Sequence, residues 1–256
     1  MKILAIGDVV GSAGLDYLAS KLWGFRNTNA IDFCVVNGEN ATDISGVSRT
    51  DALKIFDAGA DVITLGNHTF GRRDIYDLLD ENESIIRPAN YPVGVPGVGY
   101  TISRVSGYRI LTANLLGTVN MTAEACPFRT IDAILDRENG SYDIALIDFH
   151  AEATSEKIAL GRYLDGRVSA VFGTHTHVAT ADEQILPHGT AYITDLGMTG
   201  PTEGVLGVSY DIIISKFLTH MPYRFKVADG DCKAHGIIVD INESDGHARS
   251  VKRITF

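Results

Sequence analysis

Short apolar runs, each closing on glycine or a polar residue, set the folding options of this chain. Ile3–Ile6 reads as a buried strand, and Ser12 is placed to cap a helix reaching about Phe25. Ile31–Val36 reads as a second strand and Ser48–Asp57 as a helix. Val62–Leu65 then reads as a third strand, with a helix over Arg72–Leu79. Strands alternating with helices predict a parallel sheet with crossover helices.

The rhythm breaks at Pro88–Tyr100, where PANYPVGVPGVGY is too rich in proline and glycine for a helix. Tyr100–Val105 and Tyr108–Ala113 flank Ser106-Gly107 as a hairpin, and Pro127 opens a helix to about Arg137. Strand–helix alternation resumes with Ile144–Ile147, a helix from about Thr154-Ser155, and Val168–Phe172. Four further strands are expected at Ala191–Thr194, Val208–Ile214, Tyr223–Val227 and Gly236–Ile241. No internal repeat, low-complexity tract or long linker divides the chain. The expectation is one domain, residues 1–256, built as a layered α/β structure with two facing mixed sheets.

Composition narrows the function. A net charge of −10 argues against a surface that embraces duplex nucleic acid. It leaves open a nucleotide whose phosphate is held by metal ions. Cys34, Cys126 and Cys232 are odd in number and far apart, which fits a reducing compartment better than a disulfide framework. No apolar run approaches the roughly 18–20 residues of a membrane span, and MKILAIGD is too short for a signal peptide. The expected location is the cytoplasm.

Chemistry gathers at strand ends. ILAIG runs into Asp8, VVNG into Glu39 and Asn40, and VITLG into Asn67 and His68. IALIDF runs into His150, and VFGT into His175 with His177 two residues on. Sites in α/β sheets lie outside the carboxyl ends of the strands. If these five strands share one sheet and direction, their polar ends form one patch. Such a patch exceeds the needs of one divalent ion and fits two ions roughly 3.5–4 Å apart sharing a carboxylate. In an extended segment His175 and His177 would project on the same side and reach one ion each.

Taken singly, each residue has an ordinary structural use. Asp8 suits a turn or cap, Glu39 and Asn40 a solvated loop, and Asn67 a left-handed turn. His68 and His150 suit hydrogen-bonded partly buried positions. Asp148 either orients His150 or makes a strand-end hydrogen bond, and Thr154-Ser155-Glu156 reads as a helix cap. Their joint occurrence at five strand ends is what points to a metal site. His188, His220, His235 and His247 lack that context.

The same residues resemble the calcineurin-like metallophosphoesterases, and within them the bacterial YmdB-type branch. The resemblance rests on GDVVG (7–11), NGEN (37–40), GNH (66–68), DFHAEATSEK (148–157), GTHTHV (173–178) and TDLGMTGP (194–201). Val10 stands where the wider superfamily has His, and Glu39 where it has Asp; both departures agree with the YmdB-type branch. The resemblance implies an α/β/β/α sandwich. It also implies a first ion on Asp8, Glu39, Asn40 and His177, and a second on Glu39, Asn67, His150 and His175. His68 would be the acid near the leaving group. The oxygen-rich first set favours harder ions, iron or manganese, as two divalent or mixed-valence ions.

The activity so implied is hydrolysis of 2′,3′-cyclic nucleotides, typically 2′,3′-cAMP, by water activated between two metals. The alternatives are a phosphomonoesterase, either nucleotidase or phosphoprotein phosphatase, and a regulatory nucleotide-binding protein with little turnover. Pro88–Pro127, with Tyr91, Tyr100 and Asn120, is the candidate base-reading region. A homo-oligomer is compatible with the sequence.

Overall fold

A computed structural model describes residues 1–43, 45–123 and 125–256. Its strands are β1 (Lys2–Ile6), β2 (Asp8–Val9), β3 (Phe33–Asn37), β4 (Val62–Thr64), β5 (Ile85–Ile86), β6 (Tyr100–Val105) and β7 (Tyr108–Leu116). They continue with β8 (Ile144–His150), β9 (Ala170–Thr174), β10 (Gln184–Ile185), β11 (Ala191–Ile193), β12 (Met198–Pro201), β13 (Cys232–Ile241) and β14 (Ala248–Thr255). The helices are α1 (Gly11–Asn29), α2 (Arg49–Asp57), α3 (Tyr76–Glu81), α4 (Pro127–Arg137), α5 (Thr154–Leu164) and α6 (Tyr210–Thr219).

The strands form two mixed sheets. One runs β2-β12-β13-β1-β3-β4-β5, with β14 on β13; the other runs β10-β11-β9-β8-β7-β6. Within the first, β1, β3, β4 and β5 are parallel. Within the second, β7, β8, β9 and β11 are parallel. Side chains alternate along each strand, so one run feeds two cores. Ile3, Ala5, Phe33 and Val35 face Ile144, Leu146 and Phe172 between the sheets. Leu4, Ile6, Cys34 and Val36 face Leu15, Leu18 and Ile55 of α1 and α2. On the far side Leu111, Ala113 and Ile147 pack against Ile131, Ile134 and Leu160 of α4 and α5. Strands buried on both faces read as continuous apolar runs, which is why the sequence shows them plainly. The layers are those of an α/β/β/α sandwich.

Several expectations are corrected. The five strands that end in polar residues do not share one sheet. β1, β3 and β4 belong to the first sheet, β8 and β9 to the second. Sheet membership follows from long-range pairing that no local run encodes. The expected strand Val208–Ile214 is instead largely α6, and Tyr223–Val227 forms no strand, Val227 making only an isolated bridge to Val208. Ile212–Ile214 is β-branched, but it lies in the connection between β12 and β13, which adds no strand to either sheet. Its backbone groups are therefore satisfied within a helix. Helix α1 is preceded by Val10 and not capped by Ser12. Ala153 precedes α5 without a side-chain cap. Glu156 instead accepts hydrogen bonds from the Thr118 and Val119 backbone N–H groups.

Candidate active site

At one end of the sandwich the inter-sheet core turns polar. Asn37, Thr64, Asn114, Asp148 and Thr174 are all buried there. Asp148 on β8 accepts from Thr64 Oγ1 at 2.5 Å and Asn37 Nδ2 at 3.2 Å, both on the opposite sheet, and from Thr174 Oγ1 at 2.7 Å. Asn114 Nδ2 donates across the gap to the Leu65 carbonyl at 2.6 Å. These bonds lock the carboxyl ends of β3 and β4 against those of β8 and β9, so the polar residues beyond them converge across the sandwich.

The convergence has two halves that meet at Glu39. In one, His150 Nε2 lies 2.9 Å from Glu39 Oε1, 3.1 Å from Asn67 Oδ1 and 3.0 Å from His175 Nδ1. In the other, His177 Nε2 lies 3.7 Å from Asp8 Oδ1 and 3.3 Å from Asn40 Nδ2, while Asn40 Nδ2 donates to Glu39 Oε1 at 3.2 Å. Asp8, Glu39 and His150 are fully buried. Asp8 Oδ1 and Asn40 Oδ1 are buried with no hydrogen-bond partner. Such orphans cost about 1–3 kcal/mol each unless something positive meets them. Glu39, His150 and His175 bring one donor atom apiece within 4.8 Å of one another, a spacing one cation can bridge.

Each histidine has its other ring nitrogen engaged. His150 Nδ1 lies 2.9 Å from Thr174 Oγ1, whose hydroxyl donates to Asp148. With that hydroxyl proton committed, Nδ1 carries the donating N–H, and Nε2 is the nitrogen that presents a lone pair toward Glu39 and Asn67 once the ring gives up its second proton. His177 Nδ1 faces the Leu206 carbonyl at 3.1 Å, and His175 Nε2 faces Glu152 Oε2 at 3.1 Å. Asp148 thus orients His150 through Thr174 and not by direct contact. Thr174, Glu152 and Leu206 were not singled out by sequence reasoning, although Thr174 lies within GTHTHV (173–178) and Glu152 within DFHAEATSEK (148–157).

The backbone of the histidine pair differs from expectation. His175 and His177 have φ of 99° and 64°, so the segment is left-handed and not extended. Non-glycine residues held there imply strain that surrounding contacts sustain. Lys157 Nζ, buried on α5, donates to the Thr174 carbonyl at 2.8 Å and to Asp195 Oδ2 at 2.6 Å. Asp195 accepts from the Thr176 N–H at 3.1 Å and the Gly197 N–H at 2.8 Å. The pair grips the loop on both sides of His175. In the sequence, the one sign of this was a lysine on the apolar face shared with Leu160 and Leu164.

His68 stands outside the convergence. Its backbone N–H donates to Glu39 Oε2 at 3.0 Å, and its Nδ1 lies 3.4 Å from Ser45 Oγ. Of the candidate base-reading residues, Tyr91 reaches the rim, donating to the Gly66 carbonyl at 3.3 Å. Tyr100 donates to Glu138 on the flank, and Asn120 is exposed in a left-handed turn. Glu124 of that region lies outside the described residues.

The electrostatics favour positive charge at the centre. Burial pushes Glu39 up, but His150 and the His68 N–H outweigh it and hold the carboxyl at about 2. Burial pushes His150 down, but Glu39, Asp8 and Asp148 raise it to about 9. Burial and the His150 charge drop His175 to about 3, and burial raises Asp8. A proton retained at His150 Nε2 occupies the place a cation would take.

With this geometry established, likeness to known proteins is decisive. The family model for YmdB-like proteins matches residues 4–254. The chain belongs to the YmdB-like family. It is 44% identical over 254 residues to a 2′,3′-cyclic-nucleotide 2′-phosphodiesterase of Bacillus subtilis (strain 168), covering 99% of this chain and 96% of that protein. A hypothetical protein from Thermus thermophilus has a crystal structure that superimposes with a TM-score of 0.94 at 39% identity, covering 100% of this chain and 99% of the other. A crystal structure described as a novel phosphatase of Mycoplasma pneumoniae gives a TM-score of 0.94 at 31% identity, covering 100% and 93%. The sandwich of this YmdB-like chain is the calcineurin-like metallophosphoesterase fold.

Proposed function

We propose that this chain is a metal-dependent phosphodiesterase that hydrolyses 2′,3′-cyclic nucleotides such as 2′,3′-cAMP. Its 256 residues would act as one catalytic domain. The observation that carries the reading is the pair of donor sets meeting at the buried Glu39, with Asp8 Oδ1 and Asn40 Oδ1 left unpartnered. Asp8, Glu39, Asn40 and His177 would hold one ion; Glu39, Asn67, His150 and His175 would hold the other. The single histidine of the first set favours iron or manganese. When bound, such ions supply positive charge to the phosphate oxygens and acidify a water.

The chain's own residues divide the remaining work. Glu39, held ionised by its surroundings, is the shared anion. Thr174, Leu206 and Glu152 fix the three imidazoles so that one nitrogen of each faces the centre. His68 touches no other candidate ligand with its ring, which leaves it free to give a proton to the departing ribose oxygen. The named activity of the Bacillus subtilis relative supports the substrate class.

The test is side-by-side turnover of 2′,3′-cAMP, 5′-AMP and a phosphopeptide, with metal content measured. The Mycoplasma pneumoniae relative described as a phosphatase makes the phosphomonoesters the right competitors. Preference for 2′,3′-cAMP is expected; preference for a monoester would overturn the substrate assignment. No helix among the described residues is long and apolar enough to cross a membrane, and we place the enzyme in the cytoplasm with a small-molecule substrate and no duplex nucleic acid. We also propose self-association through α6. It has no buried residue and leaves Phe217 and Leu218 73% and 78% exposed. A helix of ten residues is marginal without packing.

A further inference from the structure

A cavity of about 960 Å³ opens beside the candidate active site. One wall is the loop that carries Ser45, together with Arg72; the other is the segment Tyr223-Arg224-Phe225-Lys226. Both walls are tied to the reaction centre. Ser45 Oγ lies 3.4 Å from His68 Nδ1. On the other side Val227 bridges Val208, Val208 is hydrogen-bonded to Val205, and Leu206 within that turn faces His177. The cavity is thus linked through Ser45 to His68 and, by way of Val227, Val208 and Leu206, to His177.

In a chain of net charge −10 its lining holds three cations, Arg72, Arg224 and Lys226, against two carboxylates, Asp43 and Asp229. Arg72 pairs with Asp43 at 3.2 Å and Lys226 with Asp229 at 3.4 Å. Arg224 has no ion pair among the described residues. Beside it Tyr223 and Phe225 are 40% and 42% exposed; Lys216 Nζ lies 4.7 Å over one face of the Phe225 ring, which leaves the other face for a base. Aromatic faces and an unpaired guanidinium together fit a base and a phosphate.

A cyclic mononucleotide has one phosphate, and that phosphate is the reacting group. It leaves Arg224 with no anion to meet. A nucleotide joined on the 5′ side adds both a phosphodiester and a base. We propose that this cavity is a subsite for the 5′-adjacent nucleotide of a single-stranded oligoribonucleotide ending in a 2′,3′-cyclic phosphate. Arg224 takes the linking phosphate, and Tyr223 and Phe225 stack the base. The inference rests on the phosphodiesterase reading above and names its substrate class.

The test compares kcat/KM for 2′,3′-cAMP, its 5′-phosphorylated form and a diadenylate ending in 2′,3′-cyclic phosphate. Wild type is run beside Arg224→Gln and Phe225→Leu. Calorimetry of diadenylate 3′-phosphate against 3′-AMP gives a readout independent of turnover. The diadenylate is expected to be preferred roughly five- to a hundredfold, with a steeper salt dependence. Arg224→Gln should collapse that ratio and Phe225→Leu should lower it. Equal kcat/KM for diadenylate and 2′,3′-cAMP would overturn the subsite and leave the phosphodiesterase reading intact. A 5′-phosphorylated mononucleotide matching the diadenylate would overturn the base-stacking part. If no cyclic substrate turns over, the phosphodiesterase reading falls and calorimetry decides the subsite. Arg224-dependent tighter binding of the diadenylate supports it, and equal binding overturns it.

Discussion

Replacing Lys157 by Met should be among the most costly single changes in the molecule. Lys157 and Asp195 are each 1% exposed, and their contact is 2.6 Å. Methionine fills the aliphatic volume but removes the cation. Asp195 then keeps only the Thr176 and Gly197 N–H donors, and the Thr174 carbonyl keeps only the longer bond from the Ala151 N–H at 3.4 Å. Breaking a buried pair by removing one member costs about 3–5 kcal/mol. At about 2–4 °C per kcal/mol for a chain of this size, the melting temperature should fall by about 6–20 °C. The double variant Lys157→Met/Asp195→Asn should recover only part of that loss: the buried charge is gone, but Thr176 and Gly197 donate to different oxygens of Asp195, and the amide keeps just one of them. Thermal unfolding by calorimetry reads the stability, and a metal titration reads the loop, since His175 sits between the gripped residues. A melting temperature within about 2 °C of wild type for Lys157→Met would refute the claim that this pair sustains the left-handed histidine loop.

Further outcomes follow from the same geometry. Gly66→Ala should fold yet fail to bind metal, because a Cβ there would overlap Glu39 Oε2 and the His150 ring; a metal-replete, active Gly66→Ala protein would contradict the site. In metal-free protein the His150 proton competes with a cation, so apparent metal affinity should rise up to tenfold per pH unit and level off near pH 9. Stability follows the opposite sign. A histidine raised from 6.5 stabilises the metal-free fold fully below pH 6.5, and that contribution is lost as pH rises through about 9. A titration of metal affinity that is flat from pH 6 to 9 would remove His150 from the ligand set. Phe217→Glu combined with Leu218→Glu should shift the protein to monomer in light scattering with turnover retained; an unchanged mass would show that α6 is not the contact.

The sequence made the donors legible because each is local. An apolar run, a glycine and a polar residue stand side by side at Asp8, Glu39, Asn67 and His175, and no tertiary knowledge is needed to see them. Their distribution over two sheets was not legible, because β8 and β9 take β7 and β11 as their outer neighbours and do not extend the sheet of β4 and β5, a choice of partners that no local run encodes. The His175–His177 backbone was misread for a related reason. Its left-handed turn is imposed by Lys157 and Asp195 from elsewhere in the chain. Ile212–Ile214 was misread because β-branching marks a strand only where an edge exists to receive it. His68 could be set apart from the ligands in sequence only through resemblance; in the fold its ring lies 3.4 Å from Ser45 Oγ.

Glu39's proposed role is to join two cation sites that together drive cyclic-phosphate hydrolysis. Its most direct test is metal content and 2′,3′-cAMP turnover of wild type and Glu39→Gln, each loaded with manganese or iron. The account predicts about two ions per wild-type chain, metal-dependent turnover, and loss of both metal and most activity in Glu39→Gln. A variant that retains both ions and turns over near the wild-type rate would contradict it.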